Sequence, residues 1–290
     1  MDFTNIILIL GVILATAAHR VGSKVYTERV QHGAFTFSVL NIACAMVVFV
    51  LLGGVRFDFP LSLWLYAVVF SVFYIAAAVF TFLAIMEGSL ALTSLIVAYS
   101  PVIPTAYGLL FLGEKASITL FLGILFLAIS LVLINLKKDG GEVKITFKWV
   151  IFVMLGLIGN GAKSTMLKTQ QLDFGGLYKN EFLVISFAIS AVVCLIIALT
   201  QEKGHVKTNL RRGGALGVVC GLLTAGVNLG TSLLAAPSRN MPASIMFPLI
   251  SAGGIICSLL VACFIFKEKL SKQQLLGLAL GIVSIVFLGM

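Results

Sequence analysis

Apolar runs of about 20 residues, separated by short polar connections, recur along the whole chain. Ten are read, at 4–22, 33–53, 61–86, 89–112, 118–136, 148–167, 180–200, 213–234, 242–266 and 272–289. That length is what a helix needs to cross the hydrocarbon core of a bilayer, where a helix satisfies its own backbone hydrogen bonds. The pattern predicts an all-α polytopic membrane protein with ten transmembrane helices. The longest connections, "KKDGGEVKITFK" and "QEKGHVKTNLRR", are too short to hold a soluble domain. The opening "MDFTNIILILGVILATAAHR" ends in an Ala-x-Ala-like step but lacks the positive start of a cleavable signal. It is read as the first span.

Composition agrees with a lipid solvent. Hydrophobic residues make up 60% of the chain and charged residues 11%, against about 25% charged in soluble domains. The net charge of +9 raises the question of a nucleic-acid partner, and its distribution answers it. Fourteen of the 20 Lys and Arg residues fall in or beside connections 1–2, 5–6, 7–8 and 9–10. They are Arg20, Lys24 and Arg29; Lys137, Lys138, Lys144 and Lys148; Lys203, Lys207, Arg211 and Arg212; and Lys267, Lys269 and Lys272. With ten spans these connections share one side, and basic loops mark the cytoplasmic face. The bilayer thus accounts for the charge, and no nucleic-acid partner is expected. The cysteines, Cys44, Cys194, Cys220, Cys257 and Cys263, all lie in spans and read as small core residues.

The chain repeats itself. "LFLGEKASITLFLG" at 110–123 and "FIFKEKLSKQQLLG" at 264–277 align at an offset of 154, with Glu114/Glu268, Lys115/Lys269, Ser117/Ser271, Leu122/Leu276 and Gly123/Gly277 identical. Ser130 meets Ser284 and Ala98 meets Ala252 at the same offset. Two five-span repeats follow, at 1–139 and 140–290. Five is odd, so the second must enter the membrane from the opposite side. Inverted repeats of this kind mark secondary transporters, whose substrate site lies near the midplane. The stretch "LTSLIVAYSPVIPTAYGLLFLGEKASITLFLGILFLAISLVLI" also resembles the fourth and fifth helices of EamA-type transporters of the drug/metabolite transporter superfamily. The pattern carrying that resemblance is a mid-helix Ser100-Pro101, a Gly113-Glu114 turn, and a Gly-dotted helix after it. The resemblance implies two inverted five-helix repeats around a central cavity lined by the first, third and fourth helix of each, and alternating access. It also implies a bacterial cytoplasmic membrane. Two departures stand out: Ile255 replaces the second-half counterpart of Pro101, with Pro248 as the nearby proline, and Lys267 replaces the turn glycine.

Polar residues inside spans are costly unless they face a partner or a wet cavity. Thr16, His19, Arg20 and Ser23 share one helical face, as do Asn160, Lys163 and Ser164. Thr224, Asn228 and Thr231 line up on the eighth span, and Tyr66, Tyr74 and Thr81 on the third. Tyr99 and Ser100 precede Pro101, which is expected to leave the Val97 carbonyl without its helical donor. The expected substrate cavity is therefore Tyr74, Tyr99, Ser100, Pro101, Asn160, Lys163, Asn228, His19 and Thr224. Snorkelling to the interface is the competing reading for His19, Arg20 and Lys163, and helix-to-helix hydrogen bonding for Asn41. Glu87, ending the third span, is the one candidate for a coupling proton, against the plainer reading of a solvated helix end. No span carries a paired-carboxylate, metal-ligand or nucleophile–base constellation, so no catalytic residue, metal or cofactor is expected.

These observations point to a secondary transporter for a small polar or amphipathic metabolite. The alternatives are a non-transporting scaffold or channel and, less well supported, a membrane-embedded enzyme. The expected partners are a small-molecule substrate and the lipid bilayer, with a homodimer through the Gly277/Gly281 face of the last helix as a candidate. Orientation is contested. The family arrangement implies cytoplasmic termini, whereas the basic connections imply termini outside.

Overall fold

The computed structural model describes residues 2–30, 33–53, 58–88, 90–135, 146–265 and 271–290. Among them every regular element is helical: α1 (Phe3–Arg29), α2 (Ala34–Gly53), α3 (Ser62–Glu87), α4 (Leu90–Ala98), α5 (Val102–Phe111), α6 (Ile118–Asn135), α7 (Phe147–Asp173), α8 (Lys179–Gln201), α9 (Val206–Ala235), α10 (Ala243–Ile265) and α11 (Lys272–Gly289). A 3-10 turn at Pro237–Arg239 precedes α10. Counting α4 and α5 as one interrupted span, nine of the described helices are long and apolar enough to cross a membrane. The shorter apolar helix at Ile118–Ile134 makes the tenth. The all-α polytopic reading holds. Leu51, Leu61 and Ile118 are 80–84% exposed, which is uncostly only with lipid as the surrounding solvent.

The helices do not end where the apolar runs end. α1 runs on past residue 22 to Arg29, and α9 begins at Val206, so Lys207, Arg211 and Arg212 stand on a helix. The connection read at 201–212 shrinks to the few residues from Glu202 to His205. A helix keeps its own hydrogen bonds in water as in lipid, so polarity ends a span without ending the helix. Arg56, Lys137, Lys138, Lys144, Lys267, Glu268 and Lys269 lie outside the described residues, as does the side chain of Cys263.

The chain forms two compact units, each drawing on both halves of the sequence. One comprises Ala76–Lys168 with Asn240–Met290. Here α6 lies along α11, and α10 packs on α5, α6 and α11. The α6–α11 seam is reciprocal. Ser130 donates to the Gly277 carbonyl at 2.6 Å, and Ser284 donates to the Gly123 carbonyl at 2.8 Å. A Cβ on Gly123 would strike Leu288, and one on Gly277 would strike Ile134. Every residue in this set has its counterpart 154 positions away. The shared serine of the repeat has a local task too: Ser117 accepts the Leu120 N–H at 3.0 Å, and Ser271 accepts that of Gln274 at 3.2 Å. Each starts its helix as an N-cap.

The other unit comprises Asp2–Ile75 and Thr169–Arg239. α1 lies along α9, and α2 packs on both α8 and α9. Gly213 lets α9 approach the Tyr26 ring of α1, where a Cβ would stand 2.2 Å from a ring carbon. The Tyr26 hydroxyl closes the following turn on the Gly33 carbonyl at 3.0 Å. The first turn of α2 is capped from far away: the buried Glu202 carboxylate accepts the N–H groups of Phe35 at 2.7 Å and Thr36 at 3.0 Å, and the Thr36 hydroxyl at 2.5 Å.

Candidate functional site

In the first unit the chemistry gathers at the break in the fourth span. Pro101 cannot donate a backbone hydrogen bond, and the chain tightens there instead of opening. Tyr99 N–H bonds Ile96 O, Ser100 N–H bonds Val97 O at 3.0 Å, and Ile103 N–H bonds Ser100 O. The expectation of a freed Val97 carbonyl is thereby corrected, because a 3-10-type bond three residues on serves it. The side chains are what the break redirects. Ser100, only 4% exposed, receives the Asn160 amide of α7 at 2.6 Å. Gly161 lets α7 come this close, since a Cβ there would stand 2.7 Å from the Ser100 carbonyl. Lys163 follows one turn later on α7, half-buried. Tyr99 turns the other way and donates to the Ala128 carbonyl of α6 at 2.7 Å. With Pro101, Thr105 and Pro248 it lines a mainly apolar cleft of about 80 Å³.

Further along the same unit, Glu114 holds the start of α10. Its carboxylate accepts the Ala243 N–H at 2.6 Å and the Ser244 N–H at 2.8 Å. Gly108 makes room, since a Cβ there would meet that carboxylate at 2.3 Å. The buried Lys168 ammonium donates to the Met241 carbonyl at 2.8 Å, two residues before the helix starts. Glu87 pairs with Lys148 at 3.0 Å, with its side chain 30% exposed.

In the second unit His19 meets Asn41 at 3.0 Å, tying α1 to α2. Asn228 donates to the Thr224 carbonyl of its own helix at 2.8 Å. The Tyr74 ring lies between Phe70 and Phe187, at 5.8 Å from each. Tyr66 is engaged by Asp173 near the end of α7.

The structure thus joins Ser100 to Asn160 directly, with Lys163 one turn away, and sends Tyr99 to a different neighbour. Within their own unit, Thr224 and Asn228 share a turn, His19 is held by Asn41, and Tyr74 is held by aromatic rings. The glutamate caps are what the sequence reading missed. Glu202 carries no local pattern, since its partners lie on another span; for Glu114 the visible signal is the doubled Glu-Lys turn, which by itself predicts only a turn.

Residues 3–136 match the EamA-like transporter family. That match bears out the resemblance carried by Ser100-Pro101 and Gly113-Glu114. A solved structure described as "Crystal structure of protein" resembles this fold with a TM-score of 0.75 at 14% identity, over 99% of this chain and 96% of that one. At that identity the likeness concerns the fold alone. No curated protein matches the chain.

Proposed function

From the match of residues 3–136 to the EamA-like transporter family, we propose that this chain is a transporter of that family and moves a small polar or amphipathic metabolite across a cytoplasmic membrane by alternating access. The observation that carries the reading is the interrupted fourth span, with the Ser100–Asn160 pair at the interruption and Lys163 one turn beyond. Discontinuous helices near the midplane are where secondary transporters build substrate sites. A serine, an amide and an ammonium on adjoining turns suit a solute with an anionic or hydrogen-bonding group. The reciprocal α6–α11 seam supports the inverted-repeat part of the proposal. If residue i meets the counterpart of j, and j meets the counterpart of i, the two elements are related by a twofold axis. Glu87, paired and partly solvated, suits a helix end better than a proton carrier.

The test is purified protein in liposomes, screened for thermal stabilisation across a metabolite library, followed by uptake of each stabilising compound. A compound that both stabilises and accumulates supports the reading. A library that yields neither effect removes it.

A further inference from the structure

The second unit brings together two basic connections that are far apart in sequence. The end of α1 and the start of α9 enclose a cavity of about 260 Å³, lined by Glu28, Arg29, His205, Thr208, Asn209 and Arg212. Two guanidinium groups, an imidazole, a hydroxyl and a carboxamide outnumber the single carboxylate. Asn209, 5% exposed, forms the buried floor, and its amide reaches back to the Glu202 carboxylate at 3.5 Å. The guanidinium fork matches phosphate oxygens in a bidentate way. The volume lies below the roughly 300–1,000 Å³ of drug-sized pockets. It suits a headgroup.

We infer that this pocket binds the phosphate group of an anionic phosphate ester at the membrane surface. The helix beside it favours an amphiphilic source. Val219 stands seven residues after Arg212, on the same face of α9, and Leu222 one turn further; they are 51% and 53% exposed. An acyl chain hanging from a phosphate in the pocket would run along this apolar stripe. The inference is independent of the transported solute, because none of these residues belongs to the Ser100–Asn160 site.

The test compares the full chain in phosphatidylcholine nanodiscs with and without phosphatidylglycerol, reading the thermal midpoint. Inorganic phosphate, titrated into phosphatidylcholine nanodiscs at constant ionic strength, is the second arm. The double variant Arg29→Gln/Arg212→Gln is set against Lys203→Gln/Arg211→Gln, which removes the same charge outside the pocket lining. Phosphatidylglycerol is expected to raise the midpoint of the wild type and of the control pair, and the pocket variant should lose most of that shift. Two basic groups at a membrane surface together account for roughly 30-fold in affinity for an anionic headgroup. A shift with phosphatidylglycerol alone assigns a lipid headgroup, whereas an equal shift with inorganic phosphate assigns a soluble phosphate. If the control pair loses as much as the pocket variant, or neither ligand shifts the wild type, the pocket is not the site. Should the pocket variant fail to fold, native mass spectrometry of the wild type decides. Retained phosphatidylglycerol in preference to phosphatidylcholine supports the inference, and no preference overturns it.

Discussion

Replacing Ser130 and Ser284 by alanine, singly and together, probes the α6–α11 seam. Each serine is almost fully buried, at 2% and 0% exposure, and each donates a short bond across the seam, at 2.6 and 2.8 Å. The accepting carbonyls of Gly277 and Gly123 lie inside helices, where a backbone N–H also serves them. Removing the hydroxyl therefore orphans nothing, and the loss is that of one interhelical bond. In membrane proteins such a bond contributes about 0.6 kcal/mol on average and at most about 1.7. Burial and short length put both serines in the upper half of that range, at about 1 kcal/mol each. The two costs should match, and the double variant should lose about 2 kcal/mol, because the bonds share no atom. Unfolding by sodium dodecyl sulfate in mixed micelles, followed by circular dichroism, measures all three. One serine variant at the wild-type midpoint and the other clearly shifted would refute the reciprocity on which the argument depends.

Three further outcomes are expected. Glu202→Ala should cost about 2–4 kcal/mol in the same unfolding assay, since it strips three donors at the start of α2 of a charged acceptor. Glu202→Gln, which keeps one carbonyl oxygen, should recover roughly half of that. For any substrate found by the liposome screen, Asn160→Ala and Lys163→Ala should each lower uptake by about tenfold or more, the worth of one charge-assisted contact. Lys163→Ala should leave the unfolding midpoint near the wild type, and Asn160→Ala should cost no more than its one interhelical bond to Ser100, about 1 kcal/mol; a fall in stability that accounts for the whole loss of uptake would make these residues structural. A cysteine added after Met290 should react with a membrane-impermeant maleimide in intact cells if the basic connections face the cytoplasm; labelling only after lysis would give the family arrangement.

The apolar runs fall on the described helices, because a helix that crosses a bilayer needs that length. What length does not give is where α1 and α7 stop and where α9 starts, since a helix that leaves the hydrocarbon loses its apolar signature before it loses its hydrogen bonds. Pro101 marked the interruption correctly, yet the fate of the Val97 carbonyl depended on a local tightening that no residue type dictates. The Ser100–Asn160 contact is half legible: each residue is polar inside a span, but their meeting needs Gly161 to bring α7 in. Tyr99 shows the limit of helical-face reasoning. At a break the face rotates, and its hydroxyl went to α6. His19 reads as a cavity residue and Asn41 as a helix-to-helix tie, and in the structure they hold each other.

The two glutamate caps also set an order of events at the ribosome. Glu114 precedes Ser244 by 130 residues, so α10 begins its first turn opposite an acceptor that already exists. For α2 the order is reversed, because Glu202 follows Thr36 by 166 residues. At about 5–20 residues per second, the donors of Phe35 and Thr36 wait roughly ten to thirty seconds for their carboxylate. During that interval only water or lipid headgroups are there to serve them, and α2 has to be held by whatever neighbours have already emerged.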